Sequence, residues 1–597
     1  MSASAQAGWA ALMGAGGAQD RTPGEATPAD LPAPAGLTAT GGRGQITLDW
    51  EPVPGAIGYA VHRSPHADGP FDVVDHGGGD VLAVPHGPYA DTTITPGTIY
   101  WYAVAALATV TSLGPLSAPT RAFSAGTGPA TVTATIDTTA DDGPLPRIWQ
   151  AMAGSEHLSH LLETATTGGH PIGADLHSAL RRLHDELGVQ TVRAHGILDD
   201  DLGTYRLVDG KPVHDFTGID RVYDTVLALG LHPVVELGFM PRDLARDPDR
   251  TVFTYRGIIS PPRDWNAWAD LIRALVTHLS DRYGPDELAE NWSFEVWNEP
   301  NLSVFWSGTP AEYWQLYDIT ARTIKEADPR LRVGGPATAA VGWTEDLPPA
   351  ADFLSTHVYG VPPLDLRPHA DGKPLLWTEW GVTATHGHPI NDSVFAATFL
   401  LRGMRSAAGR IDALAPWVAS DHFEELGRPQ RLLHGGFGLL TVGNLAKPKY
   451  WALTLAQRLG DTAVPVGLHG DGADSLVEAW AARTGTGTIG LLLWNGTLDQ
   501  SKTDGAADLD RTVTVNLTGL LPGDHTVRTW RVDATHGNLA AAWTGGDWPD
   551  DAQWAALKAA DHLPESEPPR TLTTRPPGIL EFTLDLPMPG IVLLEIT

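Results

Sequence analysis

The chain has 597 residues and no cysteine, which excludes disulfides, thiolate metal sites and a cysteine nucleophile. Acidic residues outnumber basic ones 71 to 40, and the formal charge of −31 argues against nucleic acid or an anionic membrane as a partner. The length exceeds what one core supports, and a hydrophobic share of 42% is ordinary for a folded chain, so roughly two to four domains are expected.

Residues 1–30 are small, polar and punctuated by Pro and Gly, and read as a flexible segment with at most a short helix at Trp9–Met13. The Ala/Gly-rich run from Ala5 to Ala18 lacks the charged start of a secretory signal, and no later stretch is apolar for the roughly 18 residues of a membrane helix. A cytoplasmic protein is the expectation. Residues 31–126 carry short alternating runs such as Gln45–Trp50, Gly58–Arg63 and Thr98–Val104 between turn clusters, the pattern of a β-sandwich. Its aromatic residues Trp50, Tyr59, Tyr100 and Tyr102 suit core packing better than sugar binding.

From 127 to 459 strand and helix signals alternate, which argues for a parallel sheet with crossover helices. Strands are predicted near Ile148 and at Val189–His195, Pro233–Phe239, Phe294–Asn298, Arg332–Gly335, Phe353–Tyr359, Leu375–Glu379 and Leu414–Ala419. Amphipathic stretches such as Gly173–Leu187, Gly218–Leu229 and Trp265–Arg282 fall between them. Eight such units close naturally into a (β/α)8 TIM barrel. Residues 460–597 return to alternation and read as a second β-sandwich; there Gly485–Gly490 spells a dinucleotide-binding pattern but sits between two strands, so it reads as a hairpin turn.

Two of the barrel strands end in chemistry. Ser293–Trp297 is short and apolar and stops at Asn298-Glu299-Pro300, where Pro300 cannot donate to a ladder and forces Glu299 out of helical geometry. Pro374–Thr378 stops at Glu379-Trp380-Gly381. A lone Glu at a strand end is usually a cap or an ion-pair partner. Two of them at the carboxyl ends of parallel strands are what a retaining glycosidase needs, a protonated acid/base and an ionised nucleophile about 5–5.5 Å apart.

The motifs WNEPN-LSVFW (from Trp297) and TEW (from Thr378) resemble those of glycoside hydrolase family 39, the β-xylosidase and α-L-iduronidase family. Val192–Asp200, Val235–Pro241 and Ser355–Tyr359 are similar to its second, third and sixth strand motifs. Ser420–Glu425 and His434–Gly438 resemble the eighth strand and loop of bacterial β-xylosidases in particular, and 31–126 resembles a fibronectin type III domain. The resemblance implies Glu299 as acid/base and Glu379 as nucleophile. It implies that His195, Asn298, His357, Tyr359 and Glu424 contact sugar hydroxyls and that Trp417 forms a wall of the pocket. The implied activity is a retaining, exo-acting hydrolase of a neutral pentoside, a β-D-xylosidase acting on a small oligosaccharide or glycoside with no cofactor. Other specificities of the family, iduronidase-like or arabinose-releasing, and a non-catalytic glycan-binding protein are the alternatives. The nucleophile loop departs from the family, since Glu379-Trp380-Gly381-Val382 lacks the Glu-Tyr-Asn-Ser character of xylosidases. Asp199-Asp200-Asp201 and His386-Gly387-His388 lack convergent ligand spacing, so no metal site is expected.

Overall fold

A computed structural model describes residues 27–124, 128, 130–543, 545–574, 576 and 578–597. The expected helix at Trp9–Met13 and most of the segment 1–30 lie outside the described residues. The centre of the molecule is an eight-stranded parallel sheet in strict chain order. Its strands are β1 (Met152–His157), β2 (Thr191–His195), β3 (His232–Glu236), β4 (Ser293–Glu295), β5 (Val333–Thr338), β6 (Phe353–Tyr359), β7 (Leu375–Gly381) and β8 (Ala413–Pro416). The ring closes past β8, where the Ala419 N–H donates to the Gly154 carbonyl of β1 at 2.8 Å. Each parallel step is spanned by helix or loop, as crossover connections require.

The outer helices form where apolar residues recur at helical spacing. In α1 (Ile172–Leu187) Leu176, Ala179, Leu180 and Leu183 face inward, and Gly188 ends the helix with φ 75. The helix α2 (Pro310–Ala327) opens with Pro310 behind a Thr309/Glu312 capping box. Inside the ring the alternation of strand residues builds layers. Met152, Val234, Ala413 and Ala415 form an apolar floor. Above it Arg193, Glu236, Glu295 and Glu379 are drawn together as a polar layer.

An amino-terminal β-sandwich precedes the barrel, with one sheet of Thr38–Gly41, Ile46–Asp49 and Tyr89–Asp91 and a second around Gly58–Ser64 and Ile99–Thr109. Trp50, Tyr59 and Tyr102 are buried in its core, with Trp50 and Tyr59 rings 5.3 Å apart, whereas Tyr100 is only half-buried, with the Arg63 guanidinium over its ring. It packs firmly against the rest. Asp365 N–H donates to Ile57 O at 2.8 Å, His369 meets Ala108 O at 2.9 Å, and Thr92 meets Thr497 at 2.8 Å.

The carboxy-terminal sandwich pairs a four-stranded with a six-stranded sheet. Here the structure corrects the sequence reading. Thr131–Asp137, inside the 127–459 span read as barrel, lies in the middle of the four-stranded sheet, parallel to Arg511–Thr518 and antiparallel to Val466–Gly470. The physical reason is one-sided burial. Val132, Ala134 and Ile136 are buried while alternate residues face outward, whereas barrel strands such as β6 are buried on both faces. Among the described residues no helix is long and apolar enough to cross a membrane.

Candidate active site

At the carboxyl ends of the strands the chain leaves the ladder after Glu295 and turns sharply. Trp297 (φ 72) and Glu299 (φ 42) both take left-handed backbone, a strained geometry for side chains of this size and one that clusters at functional sites. The turn is fixed by Glu299 N–H donating to Ala337 O at 2.9 Å and by the Trp297 indole N–H donating to Phe305 O at 2.9 Å. Glu299 therefore points into the mouth of the barrel, 3% exposed. Glu379, on β7, points to the same place at 5% exposure. Carboxylate oxygens of the two lie within 4.8 Å of one another and of a His357 ring nitrogen.

Around this pair sits one buried cation. Arg193 donates from Nη1 to Glu379 Oε1 at 2.6 Å, from Nε to Glu295 Oε2 at 2.8 Å and from Nη2 to Asn298 Oδ1 at 2.8 Å, with Glu236 Oε2 at 2.9 Å. Glu379 Oε2 accepts a second hydrogen bond, from the Tyr359 hydroxyl at 2.7 Å. Burial raises the pKa of Glu379, and Arg193, His195 and the Tyr359 hydrogen bond oppose that rise. Burial raises Glu299 well above the usual carboxyl range, and the neighbouring charges of Glu379 and Asp80 push it further in the same direction.

The protonation of Glu299 also follows from hydrogen-bond arithmetic. Thr378 gives its one hydroxyl proton to Glu295 Oε1 at 2.8 Å, so at 3.1 Å from His357 Nε2 it accepts. Burial holds His357 well below the ordinary histidine pKa, in the neutral form. A neutral ring with its proton on Nε2 has a lone pair on Nδ1, which faces Glu299 Oε1 at 2.8 Å. Only a protonated Glu299 can complete that contact.

The structure brings the other expected residues to the same place, with one exchange. His195 is held by Glu236 Oε2 at Nδ1 (2.6 Å) and aims Nε2 at Glu379 and Glu425, 3.5 and 3.7 Å away. Trp417 packs 4.9 Å from the His195 ring and lies over the Arg193 guanidinium, a position open because a Cβ on Gly154 would meet the indole at 2.4 Å. Asn298 is oriented by Arg193: with Oδ1 taken, it presents its amide N–H groups outward. Glu424, in contrast, turns away to Arg428 and His160. The carboxyl that faces the pair is Glu425, buried and raised by burial and by the charges of Glu156, Glu379 and Glu299. The two are adjacent in a loop, where no strand parity exists to tell inward from outward. Sequence reasoning also missed Thr378 and the central part of Arg193; both stand within the quoted motifs, two positions from His195 and one from Glu379. Asp199 and Asp200 accept backbone N–H groups of Phe239 and Arg242, and His386 stacks on Phe423 at 4.6 Å, so these residues organise loops.

A barrel that converges two buried, differently held carboxyl groups at its carboxyl face, among tryptophan, histidine and amide donors, is built as a glycoside hydrolase. The family model described as "Glycosyl hydrolases family 39" matches residues 132–370 and 364–575, and the chain belongs to that family. It is 32% identical over 464 residues to a beta-xylosidase of Geobacillus stearothermophilus, covering 70% of this chain and 88% of that protein. The crystal structure of a monomeric beta-xylosidase from Caulobacter crescentus CB15 superposes with a TM-score of 0.65 at 31% identity, covering 78% of this chain and 99% of that one. The structure of a GH39 enzyme from Xanthomonas axonopodis pv. citri does so with a TM-score of 0.67 at 28% identity, covering 79% and 98%.

Proposed function

We propose that the enzyme is a retaining, exo-acting β-D-xylosidase with Glu379 as nucleophile and Glu299 as acid/base. The observation that carries this is the unequal holding of two carboxyl groups whose oxygens come within 4.8 Å, a closeness that favours the short carboxyl separation of a retaining enzyme over the wider one of an inverting enzyme. Arg193 and Tyr359 keep Glu379 as a carboxylate aimed at the anomeric carbon. Glu299, protonated against neutral His357, gives its proton to the leaving oxygen as the C–O bond breaks and the glycosyl–Glu379 ester forms. The resulting Glu299 carboxylate then takes a proton from water, whose oxygen attacks the anomeric carbon as the bond from that carbon to the Glu379 oxygen breaks, freeing Glu379 as a carboxylate and the sugar with net retention. The Asn298 amide is positioned to donate to the sugar 2-hydroxyl, a bond that strengthens as the oxocarbenium-like transition state develops.

A neutral pentose is favoured over a uronic acid because Glu425 lies among other carboxyl groups that, with burial, drive it to its neutral form, and a uronate would bring one more negative charge to that side of the pair. Arg428, a cation that could offset this, is committed to Glu424 and Glu163, 3.2 Å from the latter. The beta-xylosidase relatives support the same sugar. Expected from a screen of aryl glycosides is a higher kcat/KM for 4-nitrophenyl β-D-xylopyranoside than for the iduronide or glucuronide; a tenfold preference for a uronide overturns the xyloside reading. Proton NMR of the first-formed sugar should show the β-anomer, and an initial α-anomer would overturn double displacement.

A further inference from the structure

The amino-terminal sandwich precedes the family match, which begins at residue 132, yet one of its loops reaches the mouth of the barrel. The segment Gly77-Gly78-Gly79-Asp80 meets the end of β6 in direct backbone contact. Asp80 N–H donates to Tyr359 O at 2.9 Å, and Asp80 Oδ2 accepts the Tyr359 N–H at 2.8 Å. The fit is close: a Cβ on Gly360 (φ 75) would lie 2.1 Å from Gly78 O, so glycine is required there. Gln500 of the carboxy-terminal sandwich fastens the same junction, donating from its backbone to His76 O at 2.9 Å and from its side chain to Val382 O at 2.7 Å. Three parts of the chain thus meet beside the residue whose hydroxyl holds Glu379.

We propose that this sandwich is a working part of the active site, with Asp80 as a positioning residue that fixes Tyr359 and supplies negative charge beside Glu299. The inference rests on the assignment of Glu299 as acid/base. Charged and titratable groups reach the site from every side: His357 and Tyr359 on β6, Glu379 on β7, Arg193 and His195 on β2, Glu236 on β3, Glu295 on β4, and Glu425 beyond β8. Asp80 is the member contributed from outside the family match, and its charge acts on Glu299 with the same sign as that of Glu379. Removing it should therefore make the acid/base lose its proton at lower pH.

The test is the pH profile of kcat/KM on the phenyl or alkyl glycoside that the full-length enzyme turns over best, whose poor leaving group needs the acid, for the wild type, Asp80→Asn, Asp80→Glu and Glu299→Gln, with thermal unfolding measured for each. Asp80→Asn keeps an acceptor for the Tyr359 N–H and loses the charge; its alkaline limb should fall by about one pH unit. Asp80→Glu keeps the charge and should leave the limb near the wild-type position even if its melting temperature drops. Glu299→Gln should abolish the limb. A limb that survives in Glu299→Gln refutes the acid/base assignment. A limb that vanishes there but is unmoved in Asp80→Asn, or that moves equally in Asp80→Asn and Asp80→Glu, overturns the role given to Asp80.

Discussion

The two strand ends that carry Glu299 and Glu379 are similar in sequence and opposite in surroundings. Each is a buried glutamate at the carboxyl end of a short buried strand, Glu379 within it and Glu299 just past it, with aromatic residues nearby. At β7 the carboxylate meets a guanidinium and a phenol, both donors. Past β4 it meets a neutral imidazole whose available nitrogen only accepts. Burial acts on both in the same direction, so the donors around each group decide which one stays charged. One arginine, shared among Glu236, Glu295 and Glu379, does most of the sorting.

The sharpest way to break this contrast is to remove each carboxyl in turn. Glu379→Ala should lower kcat on every glycoside by at least about 10⁴-fold, because no ester can form. Glu299→Ala should lower kcat/KM on substrates with poor leaving groups by about 10²–10⁴-fold. On a 4-nitrophenyl or dinitrophenyl glycoside it should spare formation of the ester, and azide should raise the rate further. Equal behaviour of the two variants on such a substrate would refute the assignment. Exchanging the cation comes next. Arg193→Lys keeps a charge but loses the fork that spans four partners, and kcat should fall by about 10²-fold with a lowered melting temperature. The mildest change is Tyr359→Phe. Losing one hydrogen bond to ionised Glu379 should cost about tenfold in kcat, and because that bond favours the charged form, the acid limb of kcat/KM should move to higher pH. A limb moving to lower pH would mean that the phenol does not stabilise the carboxylate.

How far the sequence announces this site follows from which determinants are local. The barrel strands, the break at Pro300 and the two strand-end glutamates depend on neighbours a few positions away, and periodicity reveals them. Parity is harder. Trp380 lies one step from Glu379 and so faces outward, stacked on Phe399 at 5.0 Å with its N–H on Val361 O, which the motif alone does not tell. Glu424 and Glu425 pose the same problem in a loop, where no period applies. Long-range partnership is harder still. That Arg193 would meet Glu295 and Glu379, or that Asp80 would reach Tyr359 across 279 positions, depends on ring closure and domain docking, for which no local pattern exists.

The strand Thr131–Asp137 has a consequence for how the enzyme is made. It emerges from the ribosome before any barrel strand, yet its neighbours in the finished sheet come from far downstream; the Thr138–Thr518 hydrogen bond spans 380 positions. At synthesis rates of ~5–20 residues per second the strand waits roughly 20–75 s with Val132, Ala134 and Ile136 unpaired, while the whole barrel is completed between the halves of the sheet. The strand therefore works as a clasp, joining the chain on either side of the catalytic domain only at the last stage of assembly. A shortened protein beginning beyond residue 138 would leave the later sandwich with a gap in its sheet, whatever its barrel did.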